Sequence, residues 1–187
     1  MAKKELAPTV ALAPVPAVLV SCGVVPEEYN IMAASWCGTC CSRPPMAYVS
    51  LRPATLSHGI LCRTGEFVIN LPTRGQLELV DWCGTASGRE HRKFQEKGLT
   101  PVPGSQIAAP AIAECPVNIE LRVVHQIHLG SHDMFVGEVL AVHAEEGLVD
   151  ANGRIRLEDL ETVCNMGSRY VALGQVLGAQ GTICPGK

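Results

Sequence analysis

Cysteines are the first candidates for chemistry in this sequence of 187 residues, which contains nine of them. Three lie in Trp36-Cys37-Gly38-Thr39-Cys40-Cys41, where a Cys-x-x-Cys pair can close a disulfide if its turn allows. A thioredoxin-like active site would need a long helix after this motif, but Ser42-Arg43-Pro44-Pro45 follows at once and prevents one. Two interpretations stay open: cysteines in a plain loop, or a redox-active dithiol.

Zinc is a third interpretation of the same cluster. A structural zinc site needs four ligands, usually in two paired sets, and the sequence has no second Cys-x-x-Cys. His125, His128 and His132 could complete a site. However, a strand would direct residues 125 and 128 to opposite sides of its sheet.

A second group of chemically useful residues comprises Arg52, Thr55, Ser57 and His58, at the predicted start of a helix. Ser57 is the predicted N-cap, the helix runs to Cys62, and Gly65 follows its end. Free N–H groups, hydroxyls and an arginine at a helix N-terminus suit an anion. The alternative is ordinary capping by Ser57 with a solvated Arg52.

Other residues are unremarkable when taken one at a time. Lys93 would be a solvated helix lysine and His132, in Ser131-His132-Asp133, a turn histidine. Trp36 and Asn70 end predicted strands and would be core or turn residues.

The elements that must position these residues are mostly short strands, which favours a single barrel or sandwich. Strands are predicted at Ala17–Cys22, Ile31–Trp36, Met46–Leu51, Glu66–Leu71, Val117–Val123 and Met134–His143. Helices are predicted at Ser57–Cys62, Gln76–Gly84, Glu90–Glu96 and Leu157–Val163, with a capping box formed by Ser87 and Glu90. The proline-rich residues 99–116 form an irregular connector.

Composition excludes several classes of protein. A hydrophobic fraction of 47% with 18% charged residues predicts a folded, soluble domain. A formal net charge of −3 and only 4% aromatic residues argue against nucleic acid and anionic membranes as partners. No Walker loop or G-x-G-x-x-G motif follows a predicted strand. Abundant thiols predict a cytoplasmic location.

The N-terminus permits two interpretations. Lys3 and Lys4 precede an apolar stretch that ends at Cys22-Gly23, as in a lipoprotein signal. Three prolines, at positions 8, 14 and 16, would break the helix that such a signal forms, so a buried strand ending at Cys22 is favoured.

Several segments, taken in order and spacing, resemble the flavin reductase-like family, which includes the flavoredoxins. The resemblance runs from about residue 14 to about 145 and rests on Pro16-Ala17-Val18-Leu19-Val20, Asn30-Ile31-Met32-Ala33-Ala34-Ser35-Trp36, Pro44-Pro45-Met46-Ala47-Tyr48-Val49-Ser50, Thr64-Gly65-Glu66-Phe67-Val68-Ile69-Asn70-Leu71-Pro72, Cys83-Gly84, Ser87-Gly88-Arg89, Lys93-Phe94, Gly98-Leu99-Thr100-Pro101, Ala113-Glu114-Cys115-Pro116, and His132 with Phe135-Val136-Gly137-Glu138-Val139.

The resemblance implies a mainly β fold, an FMN-binding split β-barrel of Greek-key-like form with a few short flanking helices. Residues 1–187 would form a single domain, with residues 146–187 an extension that packs on the barrel or on a dimer partner. It further implies a homodimer with one FMN per subunit and NAD(P)H or a redox protein as electron donor.

The resemblance also implies the site residues. Ala34, Ser35, Trp36 and Cys37 would run beside the flavin ring; Arg52, Thr55, Ser57 and Lys93 would hold ribityl and phosphate; Met32 and Asn70 would also bind FMN; and His132 would approach the flavin or an incoming nicotinamide. Many members carry arginine where this chain has Thr55, so Arg52 would have to supply the positive charge for the phosphate alone.

The implied activity is hydride transfer from NAD(P)H to flavin N5, followed by release of one or two electrons to an acceptor. His132 and Cys37 are the catalytic candidates. A further hypothesis lets Cys37 and Cys40 exchange electrons with the flavin. The alternatives are a non-enzymatic FMN-binding carrier or sensor and a thiol-redox protein without flavin.

Overall fold

A computed structural model describes residues 1–182, and it is built mainly of antiparallel strands. Within those residues the strands are β1 (Val15–Pro16), β2 (Val18–Cys22), β3 (Asn30–Ala34), β4 (Cys37–Ser42), β5 (Pro45–Leu51), β6 (Glu66–Leu71), β7 (Pro101–Val102), β8 (Ala111–Ile112), β9 (Val117–His128), β10 (Asp133–Ala144), β11 (Val163–Met166) and β12 (Arg169–Ala172). The α-helices are α1 (Leu56–Thr64), α2 (Leu77–Thr85) and α3 (Lys93–Glu96).

Seven strands form one sheet in the order β3-β2-β6-β9-β10-β5-β4. Its two edge strands, β3 and β4, are consecutive in the chain and are joined only by Ser35 and Trp36. Because so short a link spans only about 10 Å, the sheet must curl until its edges adjoin. Ser35 and Trp36 thus form the seam between the two edges, and the Ser50 N–H on β5 anchors this link by donating to the Trp36 carbonyl at 2.8 Å. The mainly β, split-barrel prediction is confirmed.

Alternation along the strands divides the core between the two faces of the curled sheet. On β2, Val20 packs inside the barrel, whereas Leu19 packs beneath α2 and α3. On β6, Phe67 lies inside and Val68 contacts the connector. Helix α1 closes the barrel interior with Ile60 and its neighbours. This arrangement fixes the start of α1 beside β3.

The segment after residue 145 returns to the N-terminal part of the chain. Strand β11 pairs with β1 and with β12, and Val163 packs in the cluster beneath α2. The predicted helix Leu157–Val163 is therefore wrong. Only Leu157–Asp159 forms a single 3₁₀ turn, because burial and pairing draw Val163 into a strand.

Two other local predictions need correction. The helix predicted at Glu90–Glu96 is only α3, since the Ser87 hydroxyl accepts the Arg89 N–H and closes a turn there. The cysteine motif lies on strand β4 and not in a loop, because β4 pairs with β5 along the barrel edge.

The N-terminal strand is confirmed as β2, in which Cys22 is fully buried. Among residues 1–182, none of the helices combines the length and the apolar character that a membrane crossing requires. Cys184 lies outside the described residues.

Candidate functional site

A cleft of about 270 Å³ lies where the start of α1, strand β3 and the segment between α2 and α3 meet. It brings together five of the predicted site residues, which are Met32, Arg52, Thr55, Ser57 and Lys93. The other lining residues are Asn30, Ala33, Ala54, Leu56, Cys83, Gly84, Thr85, Ala86, Ser87, Gly88 and Arg89.

The first turn of α1 forms one wall. Thr55, and not Ser57, is the N-cap: its hydroxyl accepts the His58 N–H at 3.3 Å and donates to the Arg52 carbonyl at 2.9 Å. Ser57 is buried in the first turn, where its hydroxyl accepts from the Asn30 amide at 2.8 Å. The first N–H groups of a helix have no partner within the helix, so this wall presents donors to the cleft.

Lys93 forms the opposite wall and is only 2% exposed. Its Nζ donates to the Cys83 carbonyl at 2.8 Å, at the end of α2. Burial lowers the pKa of Lys93 from its usual value, and no carboxylate among the described residues pairs with it. A buried ammonium with a single neutral acceptor favours an anionic ligand.

The charges that line the cleft have one sign. Arg52, Arg89 and Lys93 face it, and none of the described lining residues carries a carboxylate. Gly88 makes the close packing of this wall possible, since a Cβ there would lie 2.7 Å from the Asn30 Cγ. The wall, the cations and the helix N-terminus together form a site suited to a phosphate group.

A second group lies at the seam of the barrel. The rings of Trp36 and His132 approach to 4.3 Å between centroids, tilted by 42°. Trp36 is 41% exposed, so one face of this pair remains open. Burial, together with the positive charge of Arg52, lowers the pKa of His132. Arg52, which lines the cleft, is therefore close enough to His132 at the seam to affect the pKa of its imidazole.

Other predicted site residues lie elsewhere. Asn70 is fully buried in a polar network, where its amide donates to the Leu19 carbonyl and the Ser21 hydroxyl and accepts the Ile112 N–H. It holds the connector to the barrel and does not line the cleft. Ser35 lines a separate depression together with Trp36 and the N-terminal segment, and Ala34 is buried.

The cysteines of the motif are separated by the geometry of β4. Cys37 is buried, and burial raises the pKa of its thiol to about 12, whereas Cys40 is exposed. Three steps along a strand cover about 10 Å, and a disulfide requires Cα atoms closer than about 7 Å. The register shifts at Cys40 but leaves both residues on the same strand. This geometry disfavours a Cys37–Cys40 dithiol.

Sequence reasoning missed Asn30, Gly88 and Arg89 as site residues. All three belong to segments that carried the family resemblance, but nothing in the sequence places them next to the start of α1. The contact between Gly88 and Asn30 depends on the packing of the α2–α3 segment against β3. Among the described residues, no group of three or more His, Cys, Asp or Glu side chains could hold a metal ion.

Comparison with known proteins identifies the family. Residues 10–158 match the model of the flavin reductase-like domain. This chain belongs to the flavin reductase-like family. The flavoredoxin of Desulfovibrio vulgaris (Miyazaki F) is 35% identical, with a TM-score of 0.89 over 97% of this chain and 99% of that one. An FMN-binding protein from Thermus thermophilus, solved with bound 1-cyclohex-2-enone, is 30% identical, with a TM-score of 0.80 over 96% and 97% of the two chains.

Curated relatives within the family are matched over part of their length. The FMN reductase (NADH) RutF of Stutzerimonas stutzeri is 27% identical over 103 residues, 55% of this chain and 57% of that protein. The chain spans 66% of the length of an Archaeoglobus fulgidus protein that is 35% identical over 116 residues. Family membership places the chain among redox flavoproteins, and the anion-binding cleft is consistent with a flavin nucleotide.

Proposed function

We propose that this protein binds FMN in the cleft between α1 and the α2–α3 segment. Lys93, Arg52 and the N-terminus of α1 hold the phosphate, while Thr55 and Ser57 contact the ribityl chain. The observation that carries the proposal is the buried Lys93 ammonium, whose only acceptor among the described residues is the Cys83 carbonyl. FMN satisfies that ammonium with phosphate oxygens, which riboflavin lacks.

The ring of the cofactor lies toward the seam of the barrel. Met32 lines the cleft, and we place the ring edge against the backbone of Ser35–Cys37, which continues the chain from β3. The lowered pKa of His132 keeps its imidazole neutral near pH 7, so it packs on Trp36 without adding charge. When bound, FMN supplies hydride and single-electron chemistry, so no protein acid or base is required.

We infer that the protein is an oxidoreductase that takes electrons from NAD(P)H and passes them to a small or protein acceptor. The NADH-dependent relative RutF supports this reaction. The exposed face of Trp36 provides an open approach to the seam.

We further propose that the working unit is a single-domain homodimer in the cytoplasm. Exposed apolar side chains on β9, such as Val124 and Ile127, are available for its interface.

A second candidate is an FMN-containing electron carrier that depends on a partner reductase. The 35% identity to a flavoredoxin over nearly the whole chain favours this candidate. Reduction by pyridine nucleotide separates the two. The purified protein is loaded with FMN and mixed with NADH or NADPH in the absence of oxygen, and the flavin absorbance near 450 nm is followed. Steady bleaching supports the reductase, and bound flavin that resists both nucleotides supports the carrier.

A further inference from the structure

A cluster of polar side chains outside the cleft connects α1 with β9 and β10. Cys62 and His58 are one helical turn apart, and the Cys62 Sγ lies 3.7 Å from the His58 Nδ1 and 4.0 Å from its Nε2. The His58 Nε2 lies 2.7 Å from the Asp133 Oδ2. His58 and Asp133 are buried, while Cys62 is exposed. Nucleophile, base and orienting carboxylate thus stand in the order found in cysteine nucleophile sites.

The hydrogen bonds determine which nitrogen of His58 is the base. Hydrogen bonds from His58 and His128 lower the pKa of Asp133 to about 2, so the carboxylate is ionised at neutral pH. An ionised carboxylate can only accept, so the His58 nitrogen that contacts it must be the one that bears a hydrogen. The His58 Nε2 therefore carries the hydrogen, and Nδ1, which is the ring nitrogen nearer to the Cys62 sulfur, keeps the free lone pair. His58 is fixed in this orientation by its edge-on packing against the Phe135 ring.

Gln126 on β9 also contacts the Cys62 sulfur. Its Nε2 lies 3.5 Å from the Cys62 Sγ and 3.0 Å from the Asp133 Oδ2, so its two amide hydrogens can serve both atoms, and its Oε1 lies 3.7 Å from the same sulfur, where it can accept from the thiol. Once the thiol proton has left, the Gln126 amide can donate to the sulfur.

The other described thiols lack this arrangement. Burial raises the pKa of Cys22, Cys37, Cys83, Cys115 and Cys164. Cys41 is partly exposed, and its thiol donates to the Arg43 backbone carbonyl at 3.5 Å rather than to an imidazole. Cys40 is exposed and has no imidazole among its hydrogen-bond partners in residues 1–182. Cys62 alone of these eight combines exposure with a base.

We propose that Cys62 is a nucleophilic thiol activated by His58 and Asp133, and that it is a site of oxidation by hydrogen peroxide. The thiol proton passes to the His58 Nδ1, and the sulfur attacks one peroxide oxygen, forming an S–O bond as the O–O bond breaks. The departing hydroxide takes the proton from His58 and leaves as water. The sulfur loses two electrons to become a sulfenic acid, and the peroxide gains them. The proposal does not depend on the proposed flavin function.

The test uses the full chain, exposed to hydrogen peroxide in the presence of dimedone, which traps sulfenic acids. Peptide mass spectrometry follows labelling at each cysteine, and chymotrypsin, which cuts after Tyr48, separates Cys62 from Cys40. Because a positioned base contributes about 10²-fold or more to a rate, we expect Cys62 to be labelled at least about tenfold faster than Cys40. Equal rates at Cys62 and Cys40 would overturn the proposal, and this comparison requires no variant.

Two variants distinguish loss of the His58 base from a general disturbance of the structure around Asp133. His58→Gln keeps a hydrogen-bond donor for Asp133 but removes the base, and it should slow labelling of Cys62 to the rate of Cys40. His128→Gln is the matched control, because His128 contacts Asp133 at 2.9 Å and does not contact Cys62. It should leave the rate at Cys62 unchanged. A His58→Gln protein that folds and still labels Cys62 at the native rate would exclude His58 as the base.

Discussion

Replacement of Lys93 by methionine is the perturbation that distinguishes best between a phosphate ligand and a merely structural lysine. Methionine has a similar volume, so the buried stem keeps its packing. The ammonium has three N–H donors, and among residues 1–182 only the Cys83 carbonyl accepts from one of them. A charge-assisted hydrogen bond to phosphate is worth about 1.5–3 kcal/mol, so the Kd for FMN should rise about 10- to 150-fold.

In the ligand-free protein the Lys93 charge is buried without a phosphate partner, so the substitution also removes a cost to the free energy of unfolding. Burial lowers the pKa of Lys93 from 10.5. In the interval below 10.5 the unfolded chain therefore binds more protons than the folded chain, and stability rises with pH. Lys93→Met removes both this penalty and the hydrogen bond to Cys83. The two losses oppose each other, so the free energy of unfolding of the ligand-free protein should change by only about 1 kcal/mol.

The assay is a calorimetric titration of the ligand-free protein with FMN and, separately, with riboflavin. Riboflavin lacks the phosphate, so its Kd should be the same for the native protein and for Lys93→Met. Lys97→Met is the matched control, because Lys97 is exposed and lies 4.4 Å above the Trp82 ring, one turn further along. It should change the Kd for FMN less than about twofold. Equal weakening of FMN and riboflavin, or an unchanged Kd for FMN, would refute the assignment of Lys93 to the phosphate.

The remaining predictions concern stability. Gly88→Ala should destabilise the protein by about 1–3 kcal/mol in urea unfolding, because its Cβ would lie 2.7 Å from the Asn30 Cγ. Gly59→Ala, on helix α1 with nothing within 4 Å, should instead stabilise by up to about 1 kcal/mol, and a loss there would contradict this reasoning. The pKa of Asp133 falls from 3.8 to about 2 on folding, so its contribution is complete above pH 4 and is lost as pH falls toward 2; Asp133→Asn should flatten the acid-unfolding curve in that interval. Glu120→Gln should increase hydrogen exchange at residues 105 and 106, whose N–H groups the buried Glu120 carboxylate accepts at 2.7 and 2.8 Å, and unchanged exchange would show that the loop is held otherwise.

Strands of the barrel could be predicted from the sequence because their burial follows a local pattern. The alternation of Val117, Ile119, Leu121 and Val123 predicted the first half of β9, and the apolar run at 17–22 predicted β2. The helix predicted at Leu157–Val163 failed for a non-local reason. The pairing of β11 with β1 joins residues about 150 positions apart, and no local pattern contains that information.

The candidate site was predictable only in part. Arg52, Thr55 and Ser57 are close in sequence, so their clustering at the start of α1 followed from local structure. The burial of Lys93 opposite them required the α2–α3 segment to pack against β3, and its residue type gave no sign of this. Asn70 illustrates the reverse case, since its place in the resembling segment suggested a ligand and the structure places it in the polar core.

The most direct test of FMN binding by this chain is the visible absorption spectrum of the purified protein, recorded as isolated and after addition of FMN and removal of excess by gel filtration. We predict flavin bands near 370 and 450 nm that elute with the native protein, and much weaker retention of FMN by Lys93→Met. Elution of the native protein without flavin after saturation with FMN would contradict the assignment of the cleft.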